Sequence, residues 1–149
     1  SAAHRRLTIV GGSSGAIAAL QAAAPDPAQF KAVVAVAPIA DLAMLKSEAR
    51  HYDNSRVVES FVGSGPHVEE GSPLRRATSI RAPVLLVHGS MDENVRVSHS
   101  RKMADELRGA GKSVELIEFK GLDHAIEDSD ARVQMLTKIG QLLDRTIGR

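Results

Sequence analysis

A serine, an aspartate and a histidine, far apart in this 149-residue chain, each follow a short apolar run, and their types suit acyl transfer. Ser13 lies in Gly11-Gly12-Ser13-Ser14-Gly15, between the apolar stretch Leu7-Thr8-Ile9-Val10 and an alanine-rich helical sequence. A G-x-S-x-G turn from strand to helix lifts the serine hydroxyl above the sheet and turns the next N–H, here that of Ser14, toward a developing oxyanion. Gly11 and Gly15 are expected where the tight turn leaves no room for a Cβ. Ser13 is thus the candidate nucleophile, and a hydroxyl needs a base at neutral pH. Two other readings compete. A phosphate cradle is disfavoured, because a dinucleotide fingerprint needs glycine in place of Val10 and a P-loop needs a lysine after Gly15. A purely structural connection with incidental serines stays open on this segment alone.

The elements that must position these groups alternate along the chain. Strands are predicted at Leu7–Val10, Ala32–Ala37, Pro83–His88 and Val114–Phe119, the second apolar throughout, as suits burial on both faces. The first helix ends before Pro25-Asp26-Pro27. A helix near 97–108 carries Val97, Met103, Ala104 and Leu107 and stops at Gly109-Ala110-Gly111. A last helix near 128–147 aligns Val133, Leu136, Ile139, Leu143 and Ile147, with Asp128, Ser129 or Asp130 as its cap. This order implies an α/β fold with a mostly parallel sheet and helices on both faces. The irregular stretch 41–80, with short helices expected at Asp41–Lys46 and Arg56–Phe61 and a loop at Gly63-Ser64-Gly65-Pro66, is long enough to shape a pocket.

Composition narrows the partners. With 43% hydrophobic and 25% charged residues the chain reads as one globular domain, and a net charge of +1 gives no footprint for nucleic acid. Arg5-Arg6 and Arg75-Arg76 read as solvated surface. No apolar run approaches the length of a membrane span, and residues 1–6 lack the apolar centre of a signal peptide. The absence of cysteine removes disulfides and thiolate metal sites but does not choose a compartment.

Ligands and catalytic groups of such sheets gather outside the carboxyl ends of the strands. The polar residues there are Ser13, Asp41, Asp92 in His88-Gly89-Ser90-Met91-Asp92-Glu93-Asn94-Val95, and His124 in Gly121-Leu122-Asp123-His124. The order Ser, Asp, His is that of α/β-hydrolases.

These segments, with Ser72-Pro73-Leu74, Phe61-Val62-Gly63 and Ala82-Pro83-Val84-Leu85-Leu86-Val87, resemble the catalytic domain of the prolyl oligopeptidase family of serine peptidases over nearly the whole chain. The resemblance implies Ser13 as nucleophile, His124 as general base, Asp92 as the carboxylate that orients it, and Ser14 N–H as one oxyanion donor. It implies a peptidase acting on peptide or acyl-peptide bonds through an acyl-enzyme, with a carboxylesterase as the same-fold alternative. A module that keeps the triad without catalysing anything is the alternative of a different class. In that family several strands precede the elbow, one loop among them supplies the second oxyanion donor, and a β-propeller screens substrates. The chain is therefore expected to be the C-terminal part of an α/β-hydrolase domain. The open flank of its first strand is expected to pair with an upstream segment, or with a second chain such as another copy. Relatives that cleave after proline carry aromatic residues after the second strand, whereas this chain has Asp41-Leu42-Ala43-Met44-Leu45-Lys46 and a single tyrosine, Tyr52. An aliphatic pocket for a peptide, acyl-peptide or small ester is expected instead.

The neighbouring residues receive quieter readings. Glu93 and Asp123 compete with Asp92 for the acid's place, and the motif register favours Asp92, which can also cap its own turn. His88 reads as a buried, hydrogen-bonded structural histidine and Asp41 as a residue that shapes its loop. His4, His51, His67 and His99 lack ligand spacing, so no metal or other cofactor is expected. Met44, Met91, Met103 and Met135 read as packing.

Overall fold

The computed structural model describes residues 7–148, so the N-terminal segment with His4, Arg5 and Arg6 lies outside the described residues. Four parallel strands, β1 (Leu7–Gly12), β2 (Phe30–Val36), β3 (Val84–Gly89) and β4 (Val114–Phe119), stand in chain order across one sheet. Steps in one direction with right-handed crossovers put every connection on the same face. α1 (Ser14–Ala22) links β1 to β2, and α2 (Leu42–Ala49), α3 (Ser55–Val62), the single turn α4 (His67–Glu70) and a 3-10 helix at Pro73–Ser79 link β2 to β3. α5 (Ser98–Gly109) links β3 to β4. Leu20, Val33, Leu86, Met103 and Leu107 fill the core on this face.

No strand follows α6 (Ser129–Thr146) among the described residues, and this helix covers the opposite face, over Val34, Leu85 and Val87. Helices on both faces explain the unbroken apolar runs of the middle strands: all six residues of β3 are buried. Each fully buried Leu or Val there contributes about 1.5–3 kcal/mol of burial.

Several local readings meet the structure directly. Asp128 is the cap of α6, its carboxylate accepting the Ala131 N–H at 2.8 Å. Asp41 caps α2 in the same way through the Met44 N–H, at 2.9 Å. Ser72 is fully buried and pins the excursion after β2, its hydroxyl accepting the Leu42 N–H and donating to the Val68 carbonyl. Arg75 and Arg76 are exposed.

The packing face of α6 differs from the sequence expectation. Ala131, Met135, Ile139 and Leu142 meet the sheet, while Val133 and Leu136 are 63% and 62% exposed. The two apolar stripes share Ile139, which packs as expected, and contact with the sheet selects the one through Ala131, Met135 and Leu142. Met91 also departs from its packing role and is exposed, whereas Met103 is buried. No helix among the described residues is long and apolar enough to cross a membrane.

Candidate active site

The turn after β1 forces Ser13 into a left-handed backbone conformation, with φ 51° and ψ −118°. For a residue with a Cβ this costs about 1–3 kcal/mol and needs surroundings that over-determine it. Two observations supply them. The Ser13 N–H extends the sheet by donating to the Val36 carbonyl at 2.8 Å. A Cβ on Gly11 would stand 2.1 Å from the Gly15 carbonyl oxygen, so only glycine lets the strand and helix approach this closely. Gly15 needs a different account from the one expected, because a Cβ built there meets nothing within 4 Å. Ser14 opens α1, where N–H groups have no intrahelical partner, and its amide is available to an anion.

The loops after β3 and β4 bring the other two groups to this turn. His124 Nε2 lies 3.1 Å from Ser13 Oγ, and His124 Nδ1 lies 2.7 Å from Asp92 Oδ2. A carboxylate only accepts, so the imidazole proton belongs on Nδ1 and the Nε2 lone pair faces the serine hydroxyl. The Asp92 side chain is wholly buried and that of His124 a quarter exposed. Asp92 is also a turn cap, its Oδ1 accepting the N–H groups of Asn94 and Val95, each at 2.9 Å. Glu93 and Asp123, the competing acids, are exposed, and Asp123 only caps Ala125.

Burial by itself pushes the Asp92 carboxyl up. The contacts from His88, the Val95 N–H and His124 outweigh that and hold its pKa below the ordinary value. The carboxylate therefore favours the folded state at pH above the ordinary carboxyl pKa, a contribution lost progressively as the pH falls from there through the depressed value.

The two loops are locked to each other. The Met91 N–H donates to the Leu122 carbonyl and the Gly121 N–H to Ser90 Oγ, both at 2.8 Å. A Cβ on Gly89 would stand 2.3 Å from the Asp123 carbonyl oxygen. Gly89→Ala is expected to push the His124 loop outward and slow turnover about 100-fold, the order expected for a misplacement of 1 Å. Steady-state kinetics beside a melting curve will check that activity falls further than stability.

Beside the elbow, Ile39, Leu45, Val62 and Val95 form an apolar cluster with Ile17 of α1 and Leu42 of α2. Tyr52 sits at the neighbouring pocket, which Leu45, Glu48, Val58 and Arg96 also line, and its ring lies under the Arg96 guanidinium at 5.4 Å. The tyrosine is thus engaged by an arginine. Among the described residues, no three His, Asp or Glu side chains come together as a metal would require.

The elements that sequence reasoning did not register are α4, the 3-10 helix and the proximity of His88 to Asp92. An i, i+4 spacing at a strand end was the only signal for the last.

The chain is similar to known proteins in sequence and in fold. A family model described as the prolyl oligopeptidase family matches residues 2–149. An uncharacterized peptidase of Bacillus subtilis, YtmA, is 27% identical over 140 residues, covering 89% of this chain and 54% of the relative. The isoprenylcysteine alpha-carbonyl methylesterase of Arabidopsis thaliana is 33% identical over 67 residues, 44% of this chain and 16% of that enzyme. Among solved structures, a puromycin-hydrolyzing peptidase of Mycobacterium tuberculosis superposes with a TM-score of 0.87 at 29% identity, covering 97% of this chain and 22% of that one. The chain thus spans about half the length of the Bacillus relative and less than a quarter of the mycobacterial structure.

Proposed function

The chain belongs to the prolyl oligopeptidase family, and from that premise we propose that it carries the nucleophile, base and orienting acid of a serine peptidase. Ser13 attacks the carbonyl carbon of a peptide or acyl-peptide bond, and its proton passes to His124 Nε2. The resulting imidazolium is stabilised by Asp92 through Nδ1–H. Ser14 N–H donates to the oxyanion, a contact typically worth about 2.7–4 kcal/mol. As the tetrahedral intermediate collapses, the amine leaves with the proton from His124, and water then releases the acyl group by the same route reversed. The second oxyanion donor and a strand on the open flank of β1 come from a segment upstream of the elbow or from a second chain. On this reading the chain is the C-terminal part of a larger hydrolase domain.

The observation that carries the reading is the unbroken line Ser13 Oγ, His124 Nε2, His124 Nδ1, Asp92 Oδ2, with steps of 3.1 Å and 2.7 Å. The one tyrosine of the chain, Tyr52, lies under the Arg96 guanidinium, which speaks against a proline-stacking role for it. A fluorophosphonate probe tests the assignment in the naturally encoded protein: covalent labelling with the adduct mapped by mass spectrometry to Ser13 is expected. An intact protein that stays unlabelled would favour a module that keeps the triad without turnover.

An esterase is the second reading, favoured by the similarity to the plant methylesterase. Matched amide and ester substrates of one acyl group separate the two.

A further inference from the structure

The acid of the triad has a second histidine beside it that the mechanism above does not use. His88 is fully buried at the end of β3 and is the one polar side chain in that strand, Val84-Leu85-Leu86-Val87-His88-Gly89. Its Nδ1 lies 2.7 Å from Ser100 Oγ on α5. Its Nε2 lies 2.7 Å from the Val95 carbonyl oxygen and 3.2 Å from Asp92 Oδ2. A carbonyl only accepts, so the ring proton belongs on Nε2 and the Ser100 hydroxyl donates to Nδ1. Neutral in this tautomer, the ring has both nitrogens partnered and buries no charge.

Val95 is the hinge of the arrangement. Its carbonyl receives the His88 proton while its own N–H donates to Asp92 Oδ1. One imidazole therefore holds the carbonyl of the residue whose N–H binds one carboxylate oxygen, and presents its own N–H beside the other, the oxygen that faces His124.

We propose that His88 is a positioning residue for Asp92: Ser100 sets its tautomer, and its Nε2–H holds the Val95 turn and the carboxylate in the one orientation that meets His124. A leucine here would match the rest of the strand and fill the space, but it would leave the Val95 carbonyl buried without a partner and the carboxylate without its neighbour. The inference rests on the reading of Asp92 as the orienting acid. The titratable groups around His88 are Asp92 after β3, Glu118 opposite it in the β3–β4 register and His99 on α5, with His124 reached through Asp92.

The test measures the rate of fluorophosphonate labelling against pH in the naturally encoded protein, for His88→Leu, His88→Gln and Ser100→Ala, with Asp92→Asn as reference and melting curves for all. His88→Leu is expected to label at least about tenfold more slowly, the order of a lost hydrogen bond to a charged group. Its acid limb should move down, because a carboxylate no longer held toward His124 stabilises the imidazolium less. His88→Gln, whose amide can replace the Nε2–H, should recover most of the rate, and Ser100→Ala should move the limb the same way by less. If Asp92→Asn is slow while His88→Leu and Ser100→Ala keep the wild-type rate and limb, the positioning role is wrong and the triad reading stands. Loss of rate in His88→Leu with an unmoved limb and no recovery by glutamine also overturns it, since that is the pattern of mere packing. Should His88→Leu fail to fold, Ser100→Ala decides by whether its limb moves. Labelling of Asp92→Asn at the wild-type rate would remove the triad reading and this inference together.

Discussion

Replacing Ser13 by alanine is expected to lower hydrolysis by about 10⁴- to 10⁶-fold and to abolish fluorophosphonate labelling, with the fold intact. The size follows from what the variant keeps. Ser14 N–H still polarises a carbonyl, so residual rate above water remains, but no atom is left to form the acyl-enzyme. Stability should rise slightly or stay level, because the left-handed φ of 51° survives with a smaller side chain and the Ser13 N–H keeps its bond to Val36. Active-site titration with a melting curve measures both. A variant that still turns over at more than one hundredth of the wild-type rate would mean that another nucleophile serves the site.

Asp92→Asn is expected to cost about 10⁴-fold in kcat while leaving the melting temperature within a few degrees of wild type. The cause lies in the two oxygens of this carboxylate. Oδ1 accepts two backbone N–H groups, so an asparagine must place its carbonyl oxygen there and turn its NH₂ toward His124 Nδ1. An NH₂ donates, which forces the imidazole proton onto Nε2, where it points at the Ser13 hydroxyl and cannot accept from it. Raising the pH should not restore the rate, since the defect is a tautomer and not a charge. Recovery of activity at high pH would instead assign Asp92 a purely electrostatic role.

Much of this site was legible in the sequence because its turns have steric signatures. The elbow needs glycine at Gly11, where a Cβ would strike the Gly15 carbonyl oxygen, and each candidate partner follows a strand whose apolar run announces it. Parallel order followed from alternation of strands and helices. Features decided by tertiary contact escaped. α6 offers two apolar stripes that overlap at Ile139, so its buried face is unreadable without the sheet beneath it. Pro73–Ser79 coils as a 3-10 helix whose hold on the fold is the buried Ser72 hydroxyl, a contact 30 residues away along the chain. His88 reads as a buried structural histidine, since its i, i+4 spacing to Asp92 does not reveal that the Val95 carbonyl also closes on its Nε2.

The bond from the Ser13 amide to Val36 has a further meaning. It continues the β1–β2 ladder by one bond, so the Ser13 backbone belongs to the sheet's own lattice. His124 sits instead on a connecting loop. On the proposed mechanism the carbon–oxygen bond would form on a residue that the sheet anchors, and the proton would pass through a side chain whose loop the Met91 and Gly121 bonds tie to its neighbour.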